Sequence, residues 1–207
     1  FDSSKSSMTT APDWNTGTSI NVSGIPVQIY FTPYQSPQNW LALLKTQMTA
    51  ARQSVYFNVY TFGTNTGIEQ SLITRFNTGV DVAGVVEGDD QPANNTAYNN
   101  FQNAGIDVIR DNNVAGLLHH KFAVFDEGLA TARVLTGSAN WTTSANDIND
   151  ENVIIIYSPE LAQLFYQEFL MNFGVKAIRR NKIIHPPEGE LIVYPAPAKE
   201  YAIFGID

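Results

Sequence analysis

The chain has 207 residues, 43% hydrophobic and 15% charged, with a formal net charge of −8. That length and apolar content fit one ordinary domain with a short appendage and exclude wholesale disorder. No apolar run approaches the ~20 residues of a membrane-spanning helix, and the absence of cysteine excludes disulfides, thiolate chemistry and a Cys-based zinc site.

No basic-then-apolar leader stands at the start, so no signal peptide is expected in this chain. Its first residue is Phe1 and not Met, which leaves open that the natural N-terminus is already gone. A soluble protein is expected. Zero cysteine suits the cytosol as well as a secreted or periplasmic bacterial setting.

The charge is unevenly spread. Residues 1–174 carry 7 basic and 16 acidic side chains, net −9, and residues 175–207 carry 5 and 4, net +1. Four of those five basic residues form one run, Lys176, Arg179, Arg180 and Lys182. So acidic a chain has no broad basic face with which to grip DNA. The basic run reads either as a contact for nucleic acid or lipid headgroups or as a solvated helix end.

Taken in chain order, residues 1–24 are rich in Ser, Thr, Asn and Gly and read as a loose arm. Val27–Phe31 is a predicted strand, stopped by Thr32-Pro33. Pro37–Ser54 is a predicted helix with Trp40, Leu43, Leu44 and Met48 as its apolar stripe. A strand over Val55–Tyr60, a helix over Thr66–Thr78 closed by Gly79, and a strand over Val80–Glu87 follow. Next come a helix over Asn94–Ala104 closed by Gly105 and a strand over Ile106–Arg110. Strands over Leu117–Asp126, Arg133–Thr136 and Asn152–Tyr157 precede an amphipathic helix over Pro159–Phe173, closed by Gly174. The pattern predicts a layered α/β domain over 25–174, a mixed β-sheet flanked by helices, with 175–207 as a proline-punctuated extension.

Two clusters carry chemistry. In LLHHKFAVFD, residues 117–126, a strand places His119 and Lys121 on one face and His120 on the other. Lysine is almost never buried unpaired, so Lys121 beside His119 suits a phosphate or another anion. In TGSANWTTSA, residues 136–145, Gly137 ends a short strand, and Ser138 and Asn140 have the spacing to donate to one anion. A plain Gly-Ser-Asn turn is the blander reading. Glu151 enters the hydrophobic strand NVIIIY, where a carboxylate wants a partner; a histidine Nδ1–H is a good one.

In order, the chain reads H-x-K-x4-D (His119, Lys121, Asp126), G-S-x-N (Gly137, Ser138, Asn140), then Glu151. This resembles the phospholipase D superfamily and its HKD motif. The wording HHKFAVFD, LTGSANWT and NDENVII is most similar to the single-motif branch of small bacterial endonucleases and Zucchini-type mitochondrial proteins. The resemblance spans roughly residues 25–174. One departure is the long gap from Lys121 to Gly137, made by the loop Glu127–Arg133.

The resemblance implies two-step phosphodiester cleavage with no metal and no cofactor. Neutral His119 attacks phosphorus and forms a phosphohistidine, and a second, protonated histidine hands its proton to the leaving oxygen. Lys121, Asn140 and Ser138 hold the non-bridging oxygens. Glu151 fixes the His119 tautomer. Asp126 lies on the opposite strand parity to Lys121 and takes a supporting role. Only one motif is present, since His185 has no lysine two residues on and His120 faces away. The second half therefore comes from a second copy in a homodimer, or the chain is half of a longer two-motif protein. Nucleic acid is the leading substrate, phospholipid hydrolysis or phosphatidyl transfer the alternative, and an idle binding domain a third reading.

Other constellations compete. Glu87, Asp89 and Asp90 past a strand end have the chemistry for Mg²⁺, although acidic turns are common. Asp147 and Asp150 read as a surface loop. Tyr56, Phe57, Tyr60 and Phe62 read as core before they read as base-stacking platforms.

Overall fold

The computed structural model describes residues 18–33, 40–88, 91–92, 94–112 and 116–179. The rest of the expected arm and extension, Asp89, Asp90 and His185 lie outside the described residues, as do the side chains of the basic run.

Eight strands form one mixed sheet: β1 Thr18–Val22, β2 Ile25–Phe31, β3 Ser54–Val59, β4 Asp81–Glu87, β5 Asp107–Asp111, β6 Lys121–Phe125, β7 Arg133–Gly137 and β8 Asn152–Ile156. Their spatial order is β1-β2-β8-β7-β6-β3-β4-β5. β3, β4 and β5 run parallel, as strands joined by helical crossovers do. The other pairs are antiparallel. The expected α/β class and mixed sheet are present.

Alternating side chains divide between the two faces. Phe57, Val59, Ala123, Phe125, Leu135 and Val153 pack on one side against α1 (Trp40–Ala50), α2 (Ile68–Asn77) and α3 (Asn94–Asn103). Val85, Ile109, Phe122, Val124 and Val134 pack on the other against Ala162, Phe169 and Phe173 of α5 (Pro159–Arg179). A short α4, Thr143–Asp147, is capped by the Thr142 hydroxyl, which accepts from Ala145 N at 3.2 Å.

Four local expectations are corrected. Thr18–Val22, inside the stretch read as a loose arm, is an edge strand. It turns into β2 through Ser23 and Gly24, at φ of 52° and 90°, the tight hairpin in which both central residues are left-handed. Helix α1 ends at Ala50, because Asp126 Oδ1 accepts the amides of Arg52 (2.6 Å) and Gln53 (2.8 Å) and turns the chain into β3. Residues 117–120 are not strand; the β6 ladder begins at Lys121. Helix α5 runs through Gly174 to Arg179. A glycine within a helix costs only about 1 kcal/mol, and no proline follows directly to enforce a stop.

Candidate active site

The registers bring the functional segments to one edge of the sheet. Val59 pairs with Lys121, Phe122 with Thr136, Gly137 with Val153, and Phe31 with Asn152. The C-terminal ends of β2, β3 and β7 therefore meet the N-terminal ends of β6 and β8. The carboxyl edge of the parallel strands is where open α/β sheets place ligands.

His119 sits just before β6, exposed, its ring centroid 4.6 Å from that of Tyr60. The desolvation its ring feels, then the charges of Lys121 and His120, push its pKa below the ordinary 6.5. The neutral imidazole is thus the favoured form at neutral pH.

Lys121 is buried, at 7% exposure. Its Nζ donates to the His119 carbonyl at 2.8 Å and lies 5.0 Å from the centre of the Tyr60 ring. Burial lowers its pKa from 10.5, against the opposing charge of Glu151. The carbonyl uses one of three ammonium donors; the other two have the capacity for an anion.

Gly137 allows the next segment to approach. At φ 150°, a Cβ there would stand 2.1 Å from the carbonyl oxygen of Asn152. Ser138 N donates to that same oxygen at 3.0 Å. The loop then runs beside residues 61–63: Trp141 N donates to Thr61 O (3.0 Å) and Gly63 N to Trp141 O (2.8 Å). This carries Asn140 to the edge, half-buried, its Oδ1 enclosed without a hydrogen-bond partner.

Glu151 differs from expectation. Its Oε2 accepts from the Ser138 hydroxyl and its Oε1 from Asn149 Nδ2 at 3.2 Å, with no hydrogen bond to His119. Ser138 in turn gives its proton to Glu151 and accepts from Asn152 N at 3.0 Å, so here it buttresses the carboxylate and does not point a donor outward. Glu151 itself stands in the loop just ahead of β8.

Asp126 is not in the cluster. It lies at the other end of β6, about 16 Å away at ~3.3 Å per residue. It is buried and paired with Arg133 Nη1 at 3.0 Å. The loop Glu127–Arg133 is at that same far end, so its length leaves the cluster untouched. Glu87 is buried as well: its Oε2 accepts from Leu118 N at 2.7 Å and its Oε1 from Gly88 N at 3.0 Å. Among the described residues no three His, Asp or Glu side chains gather as metal ligands, and no helix is long and apolar enough to cross a membrane.

Residues 44–172 match the family described as cardiolipin synthase, PLD-like domain, well over half of the chain. The chain belongs to the phospholipase D superfamily. A phospholipase D from Rickettsia conorii is 32% identical over 144 residues, 70% of this chain and 68% of that one. A mitochondrial cardiolipin hydrolase from Danio rerio is 32% identical over 133 residues, 64% of this chain and 56% of that one. The chain spans about half the length of the cardiolipin hydrolases it matches. In structure, it is similar to the phospholipase D family member Nuc from Salmonella typhimurium, with a TM-score of 0.60 and 28% identity over 72% of this chain and 94% of that one.

At this edge of the sheet, three contributors escape sequence reasoning. Tyr60 covers both His119 and Lys121; the expectation for the four aromatics was core, which Phe57 and Phe62 fulfil and Tyr60 does not. Asn94, fully buried, donates to Tyr60 O (2.7 Å) and Glu87 O (2.8 Å) and accepts from Phe62 N (2.6 Å), fixing the chain beyond β3. Thr32 Oγ1 donates to Asn149 O at 2.6 Å and accepts from Glu151 N at 3.1 Å, holding the loop that carries Glu151. In the sequence Thr32-Pro33 reads only as the stop of a strand and Asn94 only as the start of a helix.

Proposed function

We propose that the chain is a metal-independent phosphodiesterase, acting as an endonuclease on DNA or RNA through a phosphohistidine intermediate. The observation that carries this is the coupling of His119 and Lys121: a neutral-favouring imidazole whose own carbonyl anchors a buried ammonium with two donors to spare. In the first step a ring nitrogen of His119 bonds to phosphorus, and the phosphorus–oxygen bond to the leaving group breaks. That oxygen takes a proton from a second histidine. In the second step this histidine takes a proton from water, whose oxygen displaces His119. Lys121 and Asn140 hold the non-bridging oxygens, where charge develops. Glu151, held by Ser138, keeps negative charge near Lys121 and so favours its ammonium form.

The second histidine is not supplied by His120, which turns to α5. In this reading it is His119 of a second copy, in a two-fold homodimer with one composite site.

One observation favours phospholipid as a second reading. Phe31 (52% exposed) ends β2, Leu117 (50%) stands two residues before His119, and Ile148 (62%) three residues before Glu151. Apolar shoulders around a phosphate slot suit a substrate with acyl chains, in a chain with few spare cations.

The deciding experiment offers chelator-treated protein labelled single-stranded DNA and, separately, cardiolipin-containing vesicles. Under the nuclease reading DNA is cut, and cutting falls steeply between about 50 and 200 mM salt as released counterions lose their advantage. Salt-insensitive turnover of vesicles without DNA cleavage would replace nuclease by lipase. Activity lost to chelator and restored by Mg²⁺ would overturn the metal-free mechanism.

A further inference from the structure

The four residues ahead of β6 hold the proposed nucleophile outside any strand ladder, so separate contacts must fix them. Leu118 N donates to Glu87 Oε2 at 2.7 Å. Lys121 Nζ donates to His119 O at 2.8 Å, and Tyr60 N donates to His120 O at 2.8 Å. These contacts fix the backbone, and the buried Leu118 side chain packs in the core on the α5 side.

His120 adds a polar tie to α5 from that same face. Its Nε2 lies 3.0 Å from Oε1 of Glu168, in the middle of α5. Asn172 Nδ2 donates to the same oxygen at 2.7 Å, orienting the carboxylate. The His120 ring stands edge-on to Phe122, 5.5 Å between centroids, and Phe122 meets Phe165 of α5 in the same manner at 5.2 Å. Neighbouring side chains of an extended segment point to opposite faces. Holding His120 against α5 therefore aims His119 at the open edge.

We infer that His120 and Glu168 are a positioning pair for His119, acting through the sheet from the face opposite the site. The inference deepens the phosphodiesterase reading and rests on it for its kinetic consequences. Neither residue touches substrate. The pair makes α5 a support of the site.

The test uses the full chain with bis(p-nitrophenyl) phosphate, a small soluble diester that needs no groove. His120→Ala and Glu168→Ala are each expected to lower kcat about 10- to 100-fold, since small misplacements of a reacting group carry losses of this order. KM should stay within about twofold. The double variant should be no slower than the slower single variant, as for residues acting as one unit. His120→Gln, which restores an N–H donor, should recover most of the loss. Independently of activity, Glu168→Ala should speed hydrogen exchange of the Tyr60 and Leu118 amides at least tenfold and leave Val124 in β6 unchanged. Wild-type kcat in either alanine variant, multiplicative losses, or unchanged exchange at Tyr60 and Leu118 would each overturn the inference. If wild type fails to cleave the diester, the phosphodiesterase reading falls, and the exchange measurement still decides whether the pair holds the segment.

Discussion

His119→Ala is expected to reduce diester cleavage by about 10⁴-fold or more, with the melting temperature close to wild type. The large kinetic loss follows from removing the nucleophile from a two-step displacement, for which no other imidazole among the described residues is presented at the sheet edge. The small structural effect follows from exposure: His119 is exposed and outside both core clusters, its ring beside that of Tyr60. Steady-state rates and thermal melts of the two proteins check both halves. The pH profile adds a sign. Desolvation first, then Lys121 and His120, favour the neutral ring, so the acid limb of the wild-type profile, where the nucleophilic ring takes up a proton, should lie below pH 6.5.

Asp126→Ala is expected to have the opposite signature, a large loss of stability with near-normal kcat in the molecules that remain folded. Asp126 is 1% exposed and accepts from Arg52 N, Gln53 N and Arg133 Nη1. Arg133 also donates to Gln47 O at 2.9 Å and lies 5.0 Å from the centre of the Phe125 ring. Removing one partner strands a buried guanidinium and releases the turn that ends α1. Breaking such a pair costs about 3–5 kcal/mol, and at ~2–4 °C per kcal/mol for a chain of this size the melt falls by about 10 °C.

Acid denaturation gives a second readout. Burial alone would raise the Asp126 pKa, but the two backbone amides and Arg133 outweigh it and hold the carboxyl below its ordinary 3.8. A depressed folded-state pKa means a stabilisation that is complete above 3.8 and is lost as pH falls through the lower, folded value. Wild type should therefore lose stability below pH 3.8 through a component that Asp126→Asn lacks. A strong drop in kcat for folded Asp126→Asn would instead return this residue to a catalytic role.

These two residues mark what the sequence disclosed and what it hid. The strand and helix periods were local signals, and they placed His119 and Lys121 on one face and His120 on the other, as the clusters around Phe122 and Ala123 require. Where the reading failed, a distant contact overrode a local pattern. Helix α1 stops because of a carboxylate 74 residues downstream. Glu151 bonds to Ser138 and not to His119, because Gly137 lets β7 and β8 close tightly at that edge. Asn94 and Glu87 organise the floor of the site through backbone groups 7 to 34 residues away, which neither period nor motif encodes. Strand β1 did carry a local signal, Ser23-Gly24 between two alternating runs, outweighed by the polar composition around it.

The most direct test of the account is to look for the covalent intermediate. Chelator-treated wild type would be mixed with a labelled diester, quenched in alkali within one turnover, where a phosphohistidine survives, and mapped by mass spectrometry. The account expects a phosphorus adduct on His119 and none in His119→Ala. Turnover without any histidine adduct, or an adduct on another residue, would contradict it.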